Sequence, residues 1–123
     1  MVTRSRLRVD RGVNQVIVRF LDRELFDDAT VRSVSDQLLR LTEEMTSGSV
    51  LVLDLSGVYS VSSNLLGRLI LVHRRLQASG SRLVLCEHTE NVAALLKSAS
   101  LDRFFHIYHN RTEALERGPA ESV

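Results

Sequence analysis

The chain has 123 residues, of which 44% are hydrophobic and 25% are charged, a composition typical of one ordinary globular domain. Sixteen basic and fifteen acidic residues leave a formal net charge of +1, so neither nucleic acid nor an anionic membrane is expected as a partner. No apolar run approaches the ~20 residues that span a bilayer, the N-terminus lacks the apolar core of a signal peptide, and a single cysteine excludes an internal disulfide. We therefore expect a cytoplasmic protein.

The N-terminal part predicts two half-buried strands joined by a short turn at residues 12–14. Apolar residues alternate with polar ones on both sides of this turn: Leu7, Val9, Val13, Val16, Val18 and Phe20. Arginines at positions 4, 6 and 8 alternate in the same way, and another follows at position 11. They resemble a basic arm for nucleic acid, but alternating arginines also mark the solvent face of an edge strand, where charge discourages pairing with another chain. We favour the edge strand.

The period then changes to that of a helix. Apolar residues recur every three or four positions, at Val31, Val34, Leu38, Leu41 and Met45, which predicts a single buried stripe. Asp27 and Asp28 lie where the positive end of the helix dipole favours acids, and Gly48 lies just beyond the expected end.

The strand at residues 50–55 is the predicted centre of the sheet. Its sequence V-L-V-L-D-L is a nearly continuous apolar run, which indicates burial on both faces in a parallel sheet. A helix from Leu65 to Leu76, ended by Gly80, leads to a strand at residues 82–86. Strand, helix and strand in this order predict a βαβ crossover.

The C-terminal third predicts smaller elements. Thr89 is positioned to cap a third helix, and the segment 104–108 fits a last short strand. Residues 112–117 predict a final helical turn or two, and residues 118–123 a disordered tail. The predicted domain therefore covers residues 1–117.

The sequence carries no recognisable enzyme constellation. It lacks G-x-x-x-x-G-K-[ST], G-x-G-x-x-G and H-E-x-x-H, and the histidines at 73, 88, 106 and 109 show no metal-ligand spacing. Asp54, Ser62 and His88 supply the residue types of a catalytic triad, but the serine lacks the G-x-S-x-G elbow and the aspartate has no visible partner. Cys86 is interpreted as a buried apolar residue. We expect neither catalysis nor a cofactor nor a bound metal.

The serine pair before the second helix has two interpretations. Ser62 can cap the helix by accepting a hydrogen bond from an early backbone N–H, which is worth about 1 kcal/mol. The same position suits a phosphoryl group, which adds a charge of about −1.5 to −2 and meets free N–H groups at the positive end of the dipole. If a partner packs over this helix end, an unpaired phosphate buried there costs several kcal/mol, which weakens binding on the order of a thousandfold.

Several motifs in a fixed order resemble the STAS domain of anti-sigma factor antagonists, from the first strands to Leu115. They are D-L-S-G-V at 54–58, V-S-S-x-L at 61–65, the helix ending L-Q-A-S-G, the strand S-R-L-V-L-C, and S-L-D-R-F-F-H-I-Y at 100–108. The pattern S-S-x-x-L-G-R-L-I resembles a divergent branch of that family. The resemblance implies an α/β fold, a single STAS domain with a mixed four- to five-stranded sheet and about four helices packed on one side, and no catalytic activity.

The resemblance also implies a partner-switching role. In that scheme the unphosphorylated antagonist binds an anti-sigma factor that is also a serine kinase, and the sigma factor is released to act in transcription. Phosphorylation of the antagonist breaks the complex, and a serine phosphatase restores it. The expected protein is a cytoplasmic monomer or weak dimer that contacts neither nucleic acid nor membrane.

The family motif D-S-S-G-L-G falls on residues 61–66, which makes Ser62 the implied phospho-acceptor and Ser63 the fallback. The motif has Asp, Gly and Gly where this sequence has Val61, Asn64 and Leu66. The implied partner-binding residues are Val61, Ser62, Ser63, Asn64, Leu66, Arg68 and Arg75.

Three alternatives stay open at this point. The first is a scaffold of the same fold that is not phosphorylated, serving as a subunit of a signalling assembly or a lipid-transport complex; Val61 favours it. The second is a small hydrolase that uses Ser62. The third is a ligand-sensing STAS domain, although no stretch of the sequence marks a pocket.

Overall fold

A five-stranded mixed sheet forms the centre of the structure, a computed structural model that describes residues 5–117. Its strands are β1 (Leu7–Gly12), β2 (Gln15–Phe20), β4 (Val50–Asp54), β6 (Arg82–Cys86) and β7 (His106–Ile107), and they lie side by side in the order β1-β2-β4-β6-β7. Only the β1–β2 pair is antiparallel among these neighbours. A separate parallel ladder joins β3 (Glu24–Leu25) to β5 (Ser60–Val61). Arg4 and the predicted tail lie outside the described residues.

Four helices accompany the strands, and each begins at a side chain that accepts a hydrogen bond from an N–H of its first turn. They are α1 (Asp28–Glu44), α2 (Ser63–Ala78), α3 (Glu90–Ser98) and α4 (Arg111–Arg117). Asp27 caps α1 by accepting a hydrogen bond from the backbone N–H of Thr30 at 3.0 Å. Thr89 caps α3, with the N–H of Val92 at 3.3 Å from its hydroxyl. The helix starts that were predicted at Asp27 and Thr89 are confirmed.

The β1–β2 hairpin places Arg8 and Arg11 on an edge strand, as the sequence predicts, with Arg6 just before it. Because β1 is the first strand of the sheet, one side of it has no neighbour. Arg6 pairs with Asp22 and Arg11 with Glu44, each at 2.9 Å. Two of these arginines therefore form ion pairs along the edge of the sheet.

Strand β4 is buried along its whole length, as its apolar sequence predicts. Leu51 and Leu53 face α1, α2 and α3 in the larger core, whereas Val50 and Val52 face the other side of the sheet. β6 alternates in the same way, so both faces of the sheet require cover. This explains why the sequence of β4 shows a continuous apolar run.

The predicted α/β fold with a mixed sheet is confirmed, with one correction to the position of the helices. Helices α1, α2 and α3 pack on the leucine face, but the buried Ala114 of α4 packs on the opposite face with Val52, Val84 and Tyr108. The physical reason is the second apolar face of β4 and β6, which would otherwise be exposed to water.

The last strand is shorter than predicted because the two phenylalanines before it pack against a helix. The ring of His73, on α2, meets Phe104 and Phe105 in edge-on contacts with centroids 4.9 and 5.7 Å apart. Both phenylalanines therefore lie in the turn that precedes β7.

Candidate functional site

The start of α2 is held in place by the short β3–β5 ladder. Leu25 pairs with Val61 in this ladder, and the backbone N–H of Ser62 donates to the carbonyl of Leu25 at 3.0 Å. Both ladder residues are buried, so the chain enters α2 from a fixed strand. The position of Ser62 is therefore set by backbone hydrogen bonds on both of its sides.

Ser62 is the N-cap of α2, as the sequence predicts. Its backbone is extended, and its Oγ accepts a hydrogen bond from the N–H of Leu65 at 3.2 Å. The hydroxyl uses only a lone pair in this bond, which leaves its proton available to another acceptor. Ser62 is half-buried, and Ser63, the first residue of the helix, is exposed.

The first turn of α2 carries no acidic residue, in contrast to the first turns of α1 and α3, which carry Asp28 and Glu90. The N-terminus of a helix has a partial positive charge and several N–H groups without helical partners. In α2 no acid of its own first turn offsets this charge. The arrangement is electrostatically suited to an added anion at Ser62 or Ser63.

The structure separates the implied partner-binding residues into two groups. Asn64 and Arg75 are exposed and Arg68 is half-buried, and their spacing places them on one stripe of α2. Val61 and Leu66, in contrast, are only 5% and 4% exposed. Both side chains belong to the core. The expectation that they contact a partner is therefore corrected, and they pack beneath the surface instead.

Two exposed aromatic residues that no sequence pattern indicated flank the β3–β5 ladder that leads to Ser62. Phe26 follows Leu25, so the ladder register places it next to Ser62, and its side chain is 52% exposed. Tyr59, 48% exposed, directly precedes β5, and the guanidinium of Arg23 lies 5.4 Å from its ring centroid. Exposed rings in loops follow no period, and only Tyr59 lies close enough to the serine pair in the sequence to have drawn attention. We call Phe26, Tyr59, Ser62, Ser63 and Asn64 the switch surface.

Asp54 has partners that the sequence did not show. One carboxylate oxygen accepts from the backbone and the hydroxyl of Ser56 at 2.9 and 2.6 Å, and the other accepts from Nε and Nη2 of Arg111 at 2.9 and 2.7 Å. Burial opposes ionisation of Asp54, but the hydrogen bonds from Ser56 and Arg111 together outweigh it and lower the pKa of this carboxyl. Asp54 therefore ties α4 to the end of β4.

Within residues 5–117, the remaining candidates for chemistry are not assembled into a site. Ser62 hydrogen-bonds neither Asp54 nor His88 in this part of the chain. Cys86 is fully buried, and burial together with the nearby Asp54 and Glu87 raises its pKa to about 12, so it is a neutral thiol and not a nucleophile. The same residues contain no group of three His, Cys, Asp or Glu side chains that could hold a metal. None of their helices is both long and apolar enough to cross a membrane.

Comparison with solved structures finds the same fold in several bacterial proteins. An anti-sigma-factor antagonist (STAS) domain protein from Planctomyces limnophilus is 19% identical with a TM-score of 0.84, covering 94% of this chain and 98% of that one. A putative anti-sigma factor antagonist from Thermotoga maritima is 22% identical with a TM-score of 0.77, covering 90% and 92%. The phosphorylated form of the Bacillus cell fate determinant SpoIIAA is 15% identical with a TM-score of 0.66, covering 91% and 98%.

The comparison with curated protein sequences found no match. The family model of the STAS domain matches residues 7–114. This range contains the whole five-stranded sheet, the switch surface and the first residues of α4. The chain therefore belongs to the STAS domain family.

Proposed function

We propose that this protein is an anti-sigma factor antagonist that acts by partner switching. The unmodified switch surface binds an anti-sigma factor with serine kinase activity, and phosphorylation of Ser62 releases it. The observation that carries the proposal is the position of Ser62, a half-buried residue that caps the start of α2 at the end of a ladder flanked by the exposed rings of Phe26 and Tyr59. Exposed aromatic side chains on the segments that lead to a modifiable hydroxyl combine a binding surface with a site of modification.

The electrostatics of α2 fit this role. A phosphoryl group on Ser62 would meet the free N–H groups of the first helical turn, so the domain would tolerate the modification without unfolding. The same dianion would disrupt an interface built on Phe26 and Tyr59, because burying it without a counter-charge costs several kcal/mol. Modification would thus change the surface and leave the fold intact.

The comparisons support this proposal at the level of the fold. The structural neighbours include anti-sigma factor antagonists, and SpoIIAA has been solved in a phosphorylated form. By analogy, the partners are an anti-sigma factor kinase and a serine phosphatase that restores the unmodified protein. The protein would be a cytoplasmic, non-enzymatic regulator of transcription, a monomer or weak dimer that binds no nucleic acid or membrane.

The direct test is phosphorylation by the cognate kinase. The protein is incubated with the kinase and ATP, and the modified residue is located by mass spectrometry in the wild type, Ser62→Ala and Ser63→Ala. We expect one phosphate on the wild type and on Ser63→Ala, and none on Ser62→Ala. Phosphate on Ser63 alone would move the acceptor by one residue, and no phosphate on either serine would contradict the switching mechanism.

A second candidate is a STAS scaffold subunit of a signalling or lipid-transport complex that is never phosphorylated. Val61 favours it, because a buried apolar side chain stands where the family motif has an acid, and Ser62 already has a structural role as a cap. A phosphoproteomic survey of the native cells separates the two candidates, since the scaffold predicts no modified Ser62 under any growth condition.

A further inference from the structure

The outer side of β1 is the longer of the two open edges of the sheet. β7, at the other edge, has two residues, whereas β1 has six and pairs only with β2 in the part of the chain that the structure describes. The N–H of Leu21 donates to the carbonyl of Arg6 at 3.0 Å. Because such bonds alternate along an antiparallel pair, the backbone N–H and C=O groups of Leu7, Val9 and Arg11 point away from β2. Another strand can therefore bond to this edge.

Two exposed side chains of opposite charge lie on this edge, one on each side of Val9. The side chain of Val9 packs toward the helices on the leucine face, so Arg8 and Asp10 point to the other face of the sheet. Neither of them forms an ion pair within the described residues. Across the β1–β2 ladder, Arg8 is directly opposite Arg19, and like charges in such positions repel. An acidic side chain on the open side of β1 would offset this repulsion.

The sequence Arg8-Val9-Asp10 is complementary to an antiparallel copy of itself. When two β1 strands pair with Val9 opposite Val9, Arg8 of each copy lies opposite Asp10 of the other, and opposite charges in such positions attract. The backbone permits this register, because the N–H and C=O groups of Val9 point outward in both copies. A shift of two residues in either direction places Arg8 opposite Arg8, or Asp10 opposite Asp10. Charge therefore selects one register.

The helix side of the same edge offers apolar surface to a second strand. A groove of about 150 Å³ lies between β1 and α1, and the apolar part of its lining is Leu7, Val9 and Leu41. Val9 is only half-buried. In the register that the charges select, Val9 of the second copy lies against Val9 on this face. Pairing would thus cover apolar surface on one face of the sheet and form two ion pairs on the other.

We propose that the outer edge of β1 is the interface of a twofold-symmetric dimer, in which the β1 strands of two copies of this chain pair antiparallel and join the two sheets into one. The interface is isologous, so each contact occurs twice. An interface built on one strand from each copy is small, so the dimer is weak and its population depends on concentration. The edge shares no residue with the switch surface, so the dimer would carry two such surfaces.

The test exchanges the two charges between copies. Arg8→Asp places two acids on the edge and Asp10→Arg places two arginines there, so each variant repels its own copy, whereas a mixture of the two variants restores opposite charges at both positions. Sedimentation equilibrium of the full chain at increasing concentration measures the dimer dissociation constant. We expect the wild type to dimerise, each variant alone to bind its own copy at least about tenfold more weakly, and the equimolar mixture to recover the affinity of the wild type.

The matched controls are Arg103→Asp and Asp102→Arg, which make the same charge changes at exposed residues before β7 and should leave the dissociation constant unchanged. If a charge variant fails to fold, Val9→Pro replaces it, because proline at this position removes only the outward N–H at the centre of the strand pair and should abolish the dimer.

Three results would overturn the proposal. They are a wild type that stays monomeric into the millimolar range, which would leave the edge to a strand of another protein; edge variants that dimerise as tightly as the wild type; and a mixture that associates no better than its components. Neither kinase nor anti-sigma factor is needed, so failure here leaves the proposed function untouched.

Discussion

The segment between β4 and α2, which contains β5, has a polar residue at each end. Asp54 and Ser62 differ in how many of their side-chain hydrogen-bonding positions are occupied. Asp54 is buried and accepts four hydrogen bonds from two residues. Ser62 is half-buried and uses its side chain for one bond, to the N–H of Leu65. A buried polar group whose hydrogen bonds are all made stabilises the fold. A polar group with an unused donor remains available for modification or binding.

Arg111→Met should cause the largest loss, because it leaves the buried carboxylate of Asp54 without its counter-charge. Breaking a buried pair from one side costs about 3–5 kcal/mol, which urea unfolding would measure. The control is Arg11→Met, which breaks the exposed pair with Glu44 and should cost no more than about 1 kcal/mol. Similar losses in the two variants would show that Asp54 is not a structural anchor.

Ser62→Asp should act on binding and leave the fold nearly unchanged. A charge placed in the interface should weaken binding of the anti-sigma factor on the order of a thousandfold, while the carboxylate still caps α2. Ser62→Asn has the same shape without the charge and also caps, so it should bind like the wild type. Titration calorimetry of each variant with the partner measures the two affinities. Equal affinities would leave Ser62 with only its role as a cap.

Truncating an exposed ring of the switch surface should have a smaller effect. Tyr59→Ala and Phe26→Ala should each weaken partner binding by about 2 kcal/mol, as expected for aromatic residues at the centre of an interface, with little change in the urea midpoint. Val13→Ala is the matched control, because Val13 is 90% exposed at the tip of the β1–β2 hairpin. If Val13→Ala weakens binding as much as the ring truncations do, the interface has been placed on the wrong end of the domain.

The smallest effect concerns pH. Burial, reinforced by His106 and Arg74, lowers the pKa of His73 from 6.5 in the folded protein. The unfolded chain therefore binds more protons below pH 6.5, and stability should fall as the pH drops from 6.5 toward the lowered value, with no further gain above 6.5. His73→Phe keeps a ring against Phe104 and should flatten the profile of unfolding free energy against pH. A profile as steep as that of the wild type would assign the dependence to other groups.

The sequence predicted the elements that have a clear period. The stripe of α1, the continuous apolar run of β4 and the alternation of β1 and β2 each span five or more residues, which is long enough for a pattern to emerge. The two-residue strands β3 and β5 are too short to show any period, so the ladder that positions Ser62 could not be predicted. The cap at Ser62 was predicted because capping depends on local residues.

The sequence could not show which distant residues meet. Asp54 and Arg111 are separated by 57 positions. Nothing in the local sequence indicates that the first residue of α4 contacts the end of β4. Exposure of Phe26 and Tyr59 also depends on packing, because an aromatic residue in a loop is as compatible with the core as with the surface.

The contact between Asp54 and Arg111 also constrains the order in which the chain can fold. During synthesis the residues of β4 leave the ribosome long before those of α4, so the valine face of the sheet stays uncovered and Asp54 lacks its counter-charge until residue 111 has emerged. Until then the nascent domain has an apolar sheet face exposed to water and to other chains. Completion of α4 would thus be the step that covers this face.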